Sequence, residues 1–367
     1  MARINFEAAL KERLPNACSR FETGNFDYLR FPMPLGPRLC RTISDALFQF
    51  LNALHVYQRL PDPDRVARAV ESICKDNEEW QRAYDLLIDS YSRDLLLNLI
   101  LFRILGYRHV KLPTNNATYW QKRRLVKQYC RSANGSSEAG VDTFVVPVNS
   151  ATVKISCHAL HVLNTFVLEQ YACRRLNPNT VAEAGDVVID GGGCWGDSAL
   201  YFAVKTGEAG RTYSFEFNEA NSSLFRSNLA ANPNLAHRIQ ILNRALWSTS
   251  DERIASSGSG TSAHLDDYGS EQSVLTISID DFVEQRKIER VDFIKLDIEG
   301  AEYAALLGAG ETLRRFRPKL AISVYHALED LYRVLLHVDS LKLGYAFALD
   351  HYTIHHEETV LFAVVPR

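Results

Sequence analysis

The sequence lacks any CxxC pair, and its seven cysteines are odd in number. They are scattered along the chain, at positions 18, 40, 74, 130, 157, 173 and 194. Zinc sites use closely spaced pairs, and the disulfide framework of a secreted protein uses an even set. The pattern argues against both and favours reduced thiols in the cytosol.

A long apolar run and a targeting segment are also missing. The most apolar stretch, 95–105, is about eleven residues long and is interrupted by Asn98 and Arg103, whereas a membrane-spanning helix needs about 20 residues. The first 14 residues mix Arg, Glu and Lys with apolar residues, which is not the pattern of a signal peptide. We therefore expect a cytoplasmic protein without a membrane span.

Nor do basic residues dominate, since 41 Lys and Arg stand against 44 Asp and Glu, with a formal net charge of −3. One basic stretch, 122–131, is flanked by Tyr119 and Trp120, and such combinations can bind nucleic acid. Because the chain is acidic overall, we interpret this stretch as the solvated face of an amphipathic helix. We expect no nucleic-acid partner.

The length of 367 residues exceeds what one hydrophobic core usually supports, so we expect two units. Residues 1–140 are predicted to be mainly helical, with Asp62 and Pro63 typical of a helix start and Gly106 of a helix end. A polar loop, 131–140, leads into the second unit, 141–367. The helical unit either covers a substrate pocket or forms a homo-oligomer contact.

The second unit begins with a predicted hairpin, 143–148 and 152–156, and a predicted amphipathic helix, 160–173. From residue 186 onward, apolar runs alternate with helical stretches. Seven strands are predicted, at 187–189, 212–217, 238–242, 291–296, 319–325, 345–349 and 359–365. The helices between them are predicted at 198–205, 219–230, 300–314 and 328–342. This alternation is typical of an α/β fold with a doubly wound, mostly parallel sheet, whose ligands bind at the carboxyl ends of the strands.

The turn after the first of these strands carries Asp190, Gly192 and Gly196. A glycine-rich turn also binds the pyrophosphate of a dinucleotide, but that group requires free amides and no nearby carboxylate. Here Asp190 ends the strand and Asp197 begins the next helix, so the turn is negatively charged. This favours the cationic methionyl end of S-adenosylmethionine over a pyrophosphate.

Four further residues fit a nucleoside. Glu216, at the end of the second strand, is placed to accept hydrogen bonds from ribose hydroxyls. Asn218 either contacts the ligand or caps the following helix. Ala245 and Leu246, after the third strand, are candidates for an adenine slot.

The fourth strand ends in Asp297 and is followed by Glu299 and Glu302 around Gly300. These acids can act as a general base, bind a divalent metal ion or orient an ammonium group, and acids also simply favour a helix N-terminus. His326 ends the fifth strand and can take a proton from an alcohol. We predict either His326 or Asp297 as the base.

Four segments, in this order, resemble the FkbM-type methyltransferase family: GDVVIDGGGCWGDSALYFA, FEFNEAN, VDFIKLDIEGAEYAALLGA and AISVYHALEDLYRV. The resemblance covers about residues 160 to 365. It implies a class I, Rossmann-like methyltransferase fold with S-adenosylmethionine as donor. It also implies methylation of a hydroxyl of a sugar, glycan or polyketide-type natural product, and hence a small-molecule or carbohydrate acceptor.

The resemblance also implies roles for single residues. Those expected to hold the cofactor are Asp190, Gly192, Gly196 and Glu216. Those expected to line the reaction centre are Asp297, Glu299, Glu302 and His326. If a metal is bound, its ligands are Asp297, Glu299 and Glu302. The chain departs from the family pattern at Gly191, where a branched apolar residue is more usual, and at Cys194, where asparagine is frequent.

Two other functions fit part of the pattern. The glycines and Glu216 also occur in NAD-dependent oxidoreductases, and a module can keep this fold without catalysing a reaction. The segment 248–273, rich in Ser, Gly and Asp, is predicted to be a substrate-facing excursion or a lid, because it is too long for a tight connection.

Overall fold

The computed structural model describes residues 5–28, 31, 33–53, 60–131, 140–258, 264–266 and 272–366. Most of the predicted polar loop 131–140 and part of the segment 248–273 lie outside these residues. Within the described ranges, no helix combines the length and the apolar character that crossing a membrane requires.

The first unit is helical, as predicted. Its helices are α1 (Phe6–Ser19), α2 (Leu35–Ala53), α3 (Pro63–Lys75), α4 (Asn77–Leu86), α5 (Ser90–Leu105) and α6 (Ala117–Tyr129). Asp62 caps α3 by accepting hydrogen bonds from the amides of Asp64 and Arg65. Gly106 ends α5 with a φ of 79°, a conformation that glycine adopts without strain. Both predicted helix boundaries are confirmed.

The predicted hairpin is confirmed as β1 (Asp142–Val148) and β2 (Ala151–Cys157). The prediction of one amphipathic helix over 160–173 is wrong. A short α7 (Ala159–His161) passes into a π-helix, Val162–Val167, which ends where the amide of Leu168 donates to the carbonyl of Leu163. The spacing of apolar residues cannot distinguish α-helix from π-helix over so few residues, and π-helical segments are frequent at functional sites.

The central sheet contains the seven predicted strands. They are β3 (Val187–Gly191), β4 (Arg211–Phe215), β5 (Ile239–Leu242), β10 (Phe293–Leu296), β11 (Lys319–Ser323), β12 (Ala346–His351) and β13 (Thr359–Val364). Their order across the sheet is β12-β13-β11-β10-β3-β4-β5. The sheet is mostly parallel, as predicted, because β3, β4, β5, β10 and β11 pair in parallel. It is nevertheless mixed, because β13 lies between β11 and β12 and pairs antiparallel with both.

Helices follow most of the strands. They are α8 (Asp197–Thr206), α9 (Glu219–Ala230), α10 (Pro233–Ala236), α11 (Ile279–Gln285), α12 (Glu302–Leu307), α13 (Gly310–Phe316) and α14 (Asp330–Ser340). Alternate strand residues enter two different hydrophobic cores: Ile189 and Ile294 lie in one, and Val188 and Phe293 in the other. This is the period-two alternation of a sheet buried on both faces.

Most helices of the helical unit pack on one face of this sheet, whereas Tyr119 and Val126 of α6 lie in the core on the other face. Side chains of α1, α3, α4 and α5 belong to the same core as Ile189 and Ile294. The chain after α4 also extends the sheet edge, since the amide of Ile88 donates to the carbonyl of Phe347 in β12 at 2.9 Å. The two units therefore share one hydrophobic core.

A second, four-stranded sheet lies between β5 and α11. Its strands are β6 (Ala245–Leu246), β7 (Arg253–Ser257), β8 (His264–Asp266) and β9 (Gln272–Ile277), in the order β6-β9-β7-β8. The described part of the segment 248–273 therefore consists largely of paired strands, and its role as a substrate-facing excursion or a lid stays a prediction.

Candidate active site

The carboxyl ends of β3, β10 and β11 lie side by side, because β10 pairs in parallel with both neighbours. This arrangement brings together the turn after β3, the acidic segment after β10 and His326 after β11. The predicted reaction-centre residues and the glycine-rich turn therefore lie together at the carboxyl ends of these inner strands.

The turn after β3 depends on glycine at two positions. Gly192 and Gly196 have φ angles of 79° and 88°, in the region that side chains with a Cβ rarely adopt. A Cβ at Gly192 would lie 1.9 Å from the carbonyl oxygen of Asp297, and one at Gly196 would lie 2.2 Å from the ring of Phe225. Glycine is therefore required at both positions by the backbone conformation and by close contacts within the protein.

Asp190 lies beneath the turn, fully buried. Its carboxylate accepts hydrogen bonds from the hydroxyls of Ser198 at 2.9 Å and Ser214 at 2.7 Å, and lies 3.1 Å from Nζ of Lys295. Lys295 Nζ also donates to the carbonyls of Gly191 and Gly192. Asp190 lines neither of the two cavities described below. Its partners support the turn, and its predicted contact with the cofactor stays a prediction.

Lys295 was missed in the sequence analysis. Burial alone would lower its pKa, but the charges of Asp190 and Asp297 outweigh that effect and raise the pKa above its ordinary value. Lys295 is therefore a buried cation that joins the turn after β3 to the acidic segment after β10. A lysine inside the apolar run Phe293–Leu296 was the available signal, because a buried lysine needs an acidic partner.

Glu216, at the end of β4, is nearly buried. Its two carboxylate oxygens accept hydrogen bonds from the amides of Cys194 at 2.8 Å and Asn218 at 2.7 Å. Burial raises the pKa of Glu216 to about 7. The hydrogen bond from residue 194 is donated by the backbone amide. It therefore does not depend on whether the side chain is cysteine or asparagine.

The sequence left two roles open for Asn218, ligand contact or helix cap. In the structure Asn218 caps α9, because its side chain accepts a hydrogen bond from the amide of Asn221 in the first turn.

Ala245 and Leu246, in β6, line a cleft together with Glu216, Phe217 and Leu265 of β8. We call this space the cleft. Its volume is only about 60 Å³, so side chains must part to admit a nucleoside.

A second space of about 690 Å³, here called the large cavity, shares Gly192 and Cys194 of the turn with the cleft. The helical unit contributes Arg123, Val126 and Lys127, and the loop before β13 contributes residues 356–358. The π-helix and the residues after it complete the wall. The helical unit thus covers part of this cavity, which is one of the two roles considered for it.

Asp297 lines both spaces, as do Gly192, Cys194 and Glu299. The carboxylate of Asp297 accepts hydrogen bonds from the hydroxyls of Tyr325 at 3.1 Å and Tyr171 at 3.0 Å. Burial would raise its pKa, but Lys295 and His326 outweigh burial and lower it. Asp297 is therefore a carboxylate at the junction of the cleft and the large cavity.

His326 is surrounded by acids. Its Nδ1 lies 3.2 Å from Glu302, and its Nε2 lies 3.5 Å from Glu299 and 4.0 Å from Asp297. Burial alone would lower the pKa of His326, but these carboxylates raise it to about 11. An imidazolium has no free lone pair for a substrate proton, so this pKa favours Asp297 over His326 as the base.

Glu302 is fully buried and accepts hydrogen bonds from the amides of Ile298 at 2.7 Å and Gly300 at 3.1 Å. It closes the turn in which Glu299 and Gly300 both have positive φ. The ligating atoms of Asp297, Glu302 and His326 lie within 4.8 Å of one another, close enough to hold a metal ion. Glu299, which was predicted as a ligand, is not in this group.

Asp197 begins α8 and faces the large cavity. It accepts a hydrogen bond from Thr165 at 2.7 Å and lies 3.2 Å from Nδ1 of His161. Burial would raise the pKa of Asp197, but His161 and Thr165 lower it to about 2. Asp197 therefore remains ionised, and its two partners were not found from the sequence.

Residues 181–347 match the family model described as the methyltransferase FkbM domain. This part of the chain is an FkbM methyltransferase domain. It includes the glycine-rich turn, Glu216, the acidic segment after β10 and His326. Among curated proteins, none matches the chain in sequence.

Solved structures with this fold include an FkbM methyltransferase from Methylobacillus flagellatus KT, which is 18% identical to this chain. The match covers 93% of this chain and 72% of that one, with a TM-score of 0.54, so it includes the helical unit as well as the methyltransferase domain. An O-methyltransferase from Bacillus cereus in complex with SAH is 13% identical, with 87% and 97% of the two chains covered and a TM-score of 0.35.

Proposed function

We propose that the protein is an S-adenosylmethionine-dependent O-methyltransferase that methylates a hydroxyl of a sugar, glycan or polyketide-type natural product. The observation that carries this proposal is the position of Asp297, which lines both the cleft and the large cavity. A donor in one space and an acceptor in the other would meet at this carboxylate.

The residues that line the cleft suit the donor, although their side chains must part to admit it. Glu216 is placed to accept hydrogen bonds from ribose hydroxyls, and Ala245 and Leu246 offer an apolar surface for adenine. The end of the cleft at Asp297 and Glu299 is acidic and suits the cationic methionyl end of the cofactor. The glycine-rich turn is supported by the ion pair of Asp190 with Lys295 and by the hydrogen bond from Lys295 to the carbonyl of Gly192.

The large cavity fits a hydroxyl-bearing acceptor. Asn164 of the π-helix and Gln170 just after it are buried in its wall, and the side-chain oxygens of both lack a hydrogen-bond partner among the described residues. A buried polar atom without a partner costs about 1–3 kcal/mol. Acceptor hydroxyls that donate to these two oxygens would recover that energy on binding.

The reaction requires alignment and removal of one proton. The sulfonium supplies an already activated methyl group, which moves to the acceptor oxygen as the C–S bond breaks and the C–O bond forms. Asp297 accepts the hydroxyl proton, held in place by Tyr171 and Tyr325. The imidazolium of His326 balances the acids around it. Alignment contributes several kcal/mol, and a general base contributes roughly 10²- to 10⁴-fold.

The direct test is transfer of a labelled methyl group from S-adenosylmethionine to a panel of sugars, glycans and macrolide-type alcohols. We expect a methyl ether on one hydroxyl class and stoichiometric S-adenosylhomocysteine. Label incorporated only into amine or carbon acceptors would contradict O-methylation.

The affinity for S-adenosylmethionine should depend on pH through Glu216. Its pKa is about 7, so the protonated form, which accepts hydrogen bonds less well, predominates below that pH. We expect the dissociation constant to fall by up to about tenfold between roughly pH 6 and pH 8. In Glu216→Gln, binding should be weaker and independent of pH over this range. Calorimetric titration measures both, and a flat wild-type profile would refute the assignment.

Acceptor recognition should depend on Asn164 and Gln170. We expect Asn164→Ala and Gln170→Ala each to raise the KM for the acceptor about 3- to 10-fold, the value of one hydrogen bond. Affinity for S-adenosylmethionine should stay unchanged. Gln285→Ala, at an exposed position in α11, is the matched control. If all three variants have the same acceptor KM, Asn164 and Gln170 do not bind the acceptor.

Turnover should not require a metal ion. His326 already supplies a positive charge to the acids around it, and both oxygens of Glu302 accept backbone hydrogen bonds. We expect activity in excess EDTA to stay within about twofold of the untreated enzyme, since no Lewis acid is needed for an activated methyl donor. Loss of turnover in EDTA that magnesium restores would show that the cluster holds an ion.

A further inference from the structure

Helix α2 (Leu35–Ala53) carries its apolar face toward solvent. The side chains on this face are 54% to 83% exposed. They are Leu35, Leu39, Ile43, Leu47 and Phe50. Together they form a stripe along four turns of the helix, here called the α2 face. Contiguous apolar surface of this kind usually marks an interaction site.

The opposite side of α2 packs on the rest of the protein through polar and aromatic residues. Arg41 lies over the ring of Phe26 at 4.0 Å. Asp45 lies 3.8 Å from Arg108, and Phe48 packs against Phe21 with ring centroids 5.9 Å apart. The helix is therefore held with its polar side inward, which reverses the usual orientation of an amphipathic surface helix.

We propose that the α2 face is the contact between two copies of this chain, with α2 packed antiparallel on α2 about a two-fold axis near Ile43. Leu39 and Leu47 lie four residues before and four residues after Ile43. A two-fold axis there packs Leu39 of one copy against Leu47 of the other, and Ile43 against Ile43. Such an isologous contact closes on itself and gives a dimer.

The exposed area agrees with a dimer. The exposed parts of the five residues amount to roughly 600 Å² for each copy, so a symmetric pair buries at most about 1,200 Å², which reaches the lower end of the range for specific interfaces. Phe50 adds an aromatic side chain, a type that is enriched at protein–protein interfaces.

The charges of α2 favour a second copy over a lipid surface. The charged residues of the helix are Arg38, Arg41 and Asp45, and Arg41 lies 3.9 Å from Asp45. Helices that bind membranes carry several Lys and Arg residues on the polar face. With a net charge of one, α2 has little attraction for anionic lipid and little repulsion from its own copy.

The test is the oligomeric state of the full chain, measured by sedimentation velocity at about 10 µM, where a specific interface is occupied. We expect a dimer for the wild type and a monomer for Ile43→Glu, with the dissociation constant raised at least about 100-fold. The matched control is Thr42→Glu, at the next position but on an exposed polar side, which should remain a dimer. Circular dichroism should show that both variants are folded.

A second variant tests the register. In a Cys40→Ser background, Ile43→Cys should form an intermolecular disulfide under mild oxidation, because the two-fold axis brings both copies of residue 43 together. Thr42→Cys should not. A monomeric wild type, or a dimer that Ile43→Glu leaves intact, would overturn the proposal. Sedimentation of a monomer with phosphatidylglycerol vesicles would identify a lipid surface instead. None of these outcomes depends on methyl transfer.

Discussion

Lys295→Met is expected to lower the free energy of unfolding by about 3–5 kcal/mol, the cost of leaving a buried charge without its partner. Lys295 Nζ lies 3.1 Å from the fully buried carboxylate of Asp190 and donates to the carbonyls of Gly191 and Gly192. Methionine keeps much of the volume and removes the charge. Asp190 then remains buried with only two hydroxyl donors. Urea denaturation followed by circular dichroism measures the loss.

Two variants make that result specific. Lys75→Met, at an exposed position in the last turn of α3, should change stability by less than about 0.5 kcal/mol. Lys295→Met combined with Asp190→Asn should recover part of the stability, because the unpaired charge is removed as well. If Lys295→Met alone is as stable as the wild type, the ion pair does not support the turn.

Asp297→Asn is expected to reduce kcat by roughly 10²- to 10⁴-fold, the usual contribution of a general base. The amide keeps the size of the side chain, and its oxygen can accept a hydrogen bond from one of Tyr171 and Tyr325 while its NH2 group donates to the hydroxyl of the other. It cannot take the acceptor proton. Affinity for S-adenosylmethionine should change much less than kcat. Steady-state kinetics and calorimetric titration on the same preparation separate the two quantities.

The control lies on the same strand segment. Asp292 precedes β10 at its amino-terminal end, away from the site, where it accepts a hydrogen bond from the amide of Val187. Asp292→Asn should retain nearly full turnover. Retention of more than about a tenth of wild-type kcat in Asp297→Asn would exclude Asp297 as the base.

His326→Gln distinguishes the two predicted bases. Because the pKa of His326 is about 11, the wild-type rate should show no rising limb near the ordinary pKa of histidine. The variant should lose activity through displacement of Glu299 and Asp297, with an unchanged shape of the pH–rate profile. A rising limb near pH 6.5 that His326→Gln abolishes would restore histidine as the base.

The position of the site, at the carboxyl ends of the inner strands, was predictable from the sequence. Runs such as 187–189 and 291–296 predict buried strands, and ligands of α/β sheets bind at the carboxyl ends of such strands. The polar residues that follow them, Asp297 and His326, do meet there. The direction of β13 was not predictable in the same way, because apolar content carries no information on strand direction.

The chemical state of the site could not be read from sequence positions. His326 is 24 residues from Glu302, and only the pairing of β10 with β11 brings them within 3.2 Å. The resulting imidazolium is a consequence of tertiary structure. The same holds for Asn164 and Gln170, whose orientation into the large cavity follows from a π-helix that apolar periodicity does not reveal.

The central claim is that the cleft binds S-adenosylmethionine at Glu216 and Asp297. Calorimetric titration of the purified chain with S-adenosylmethionine, and separately with NAD, tests it most directly. We expect S-adenosylmethionine to bind at one site per chain, binding to be lost or strongly weakened in Glu216→Ala, and NAD not to bind. Binding of NAD alone would contradict the account and indicate an oxidoreductase, and binding of neither would indicate a module without this activity.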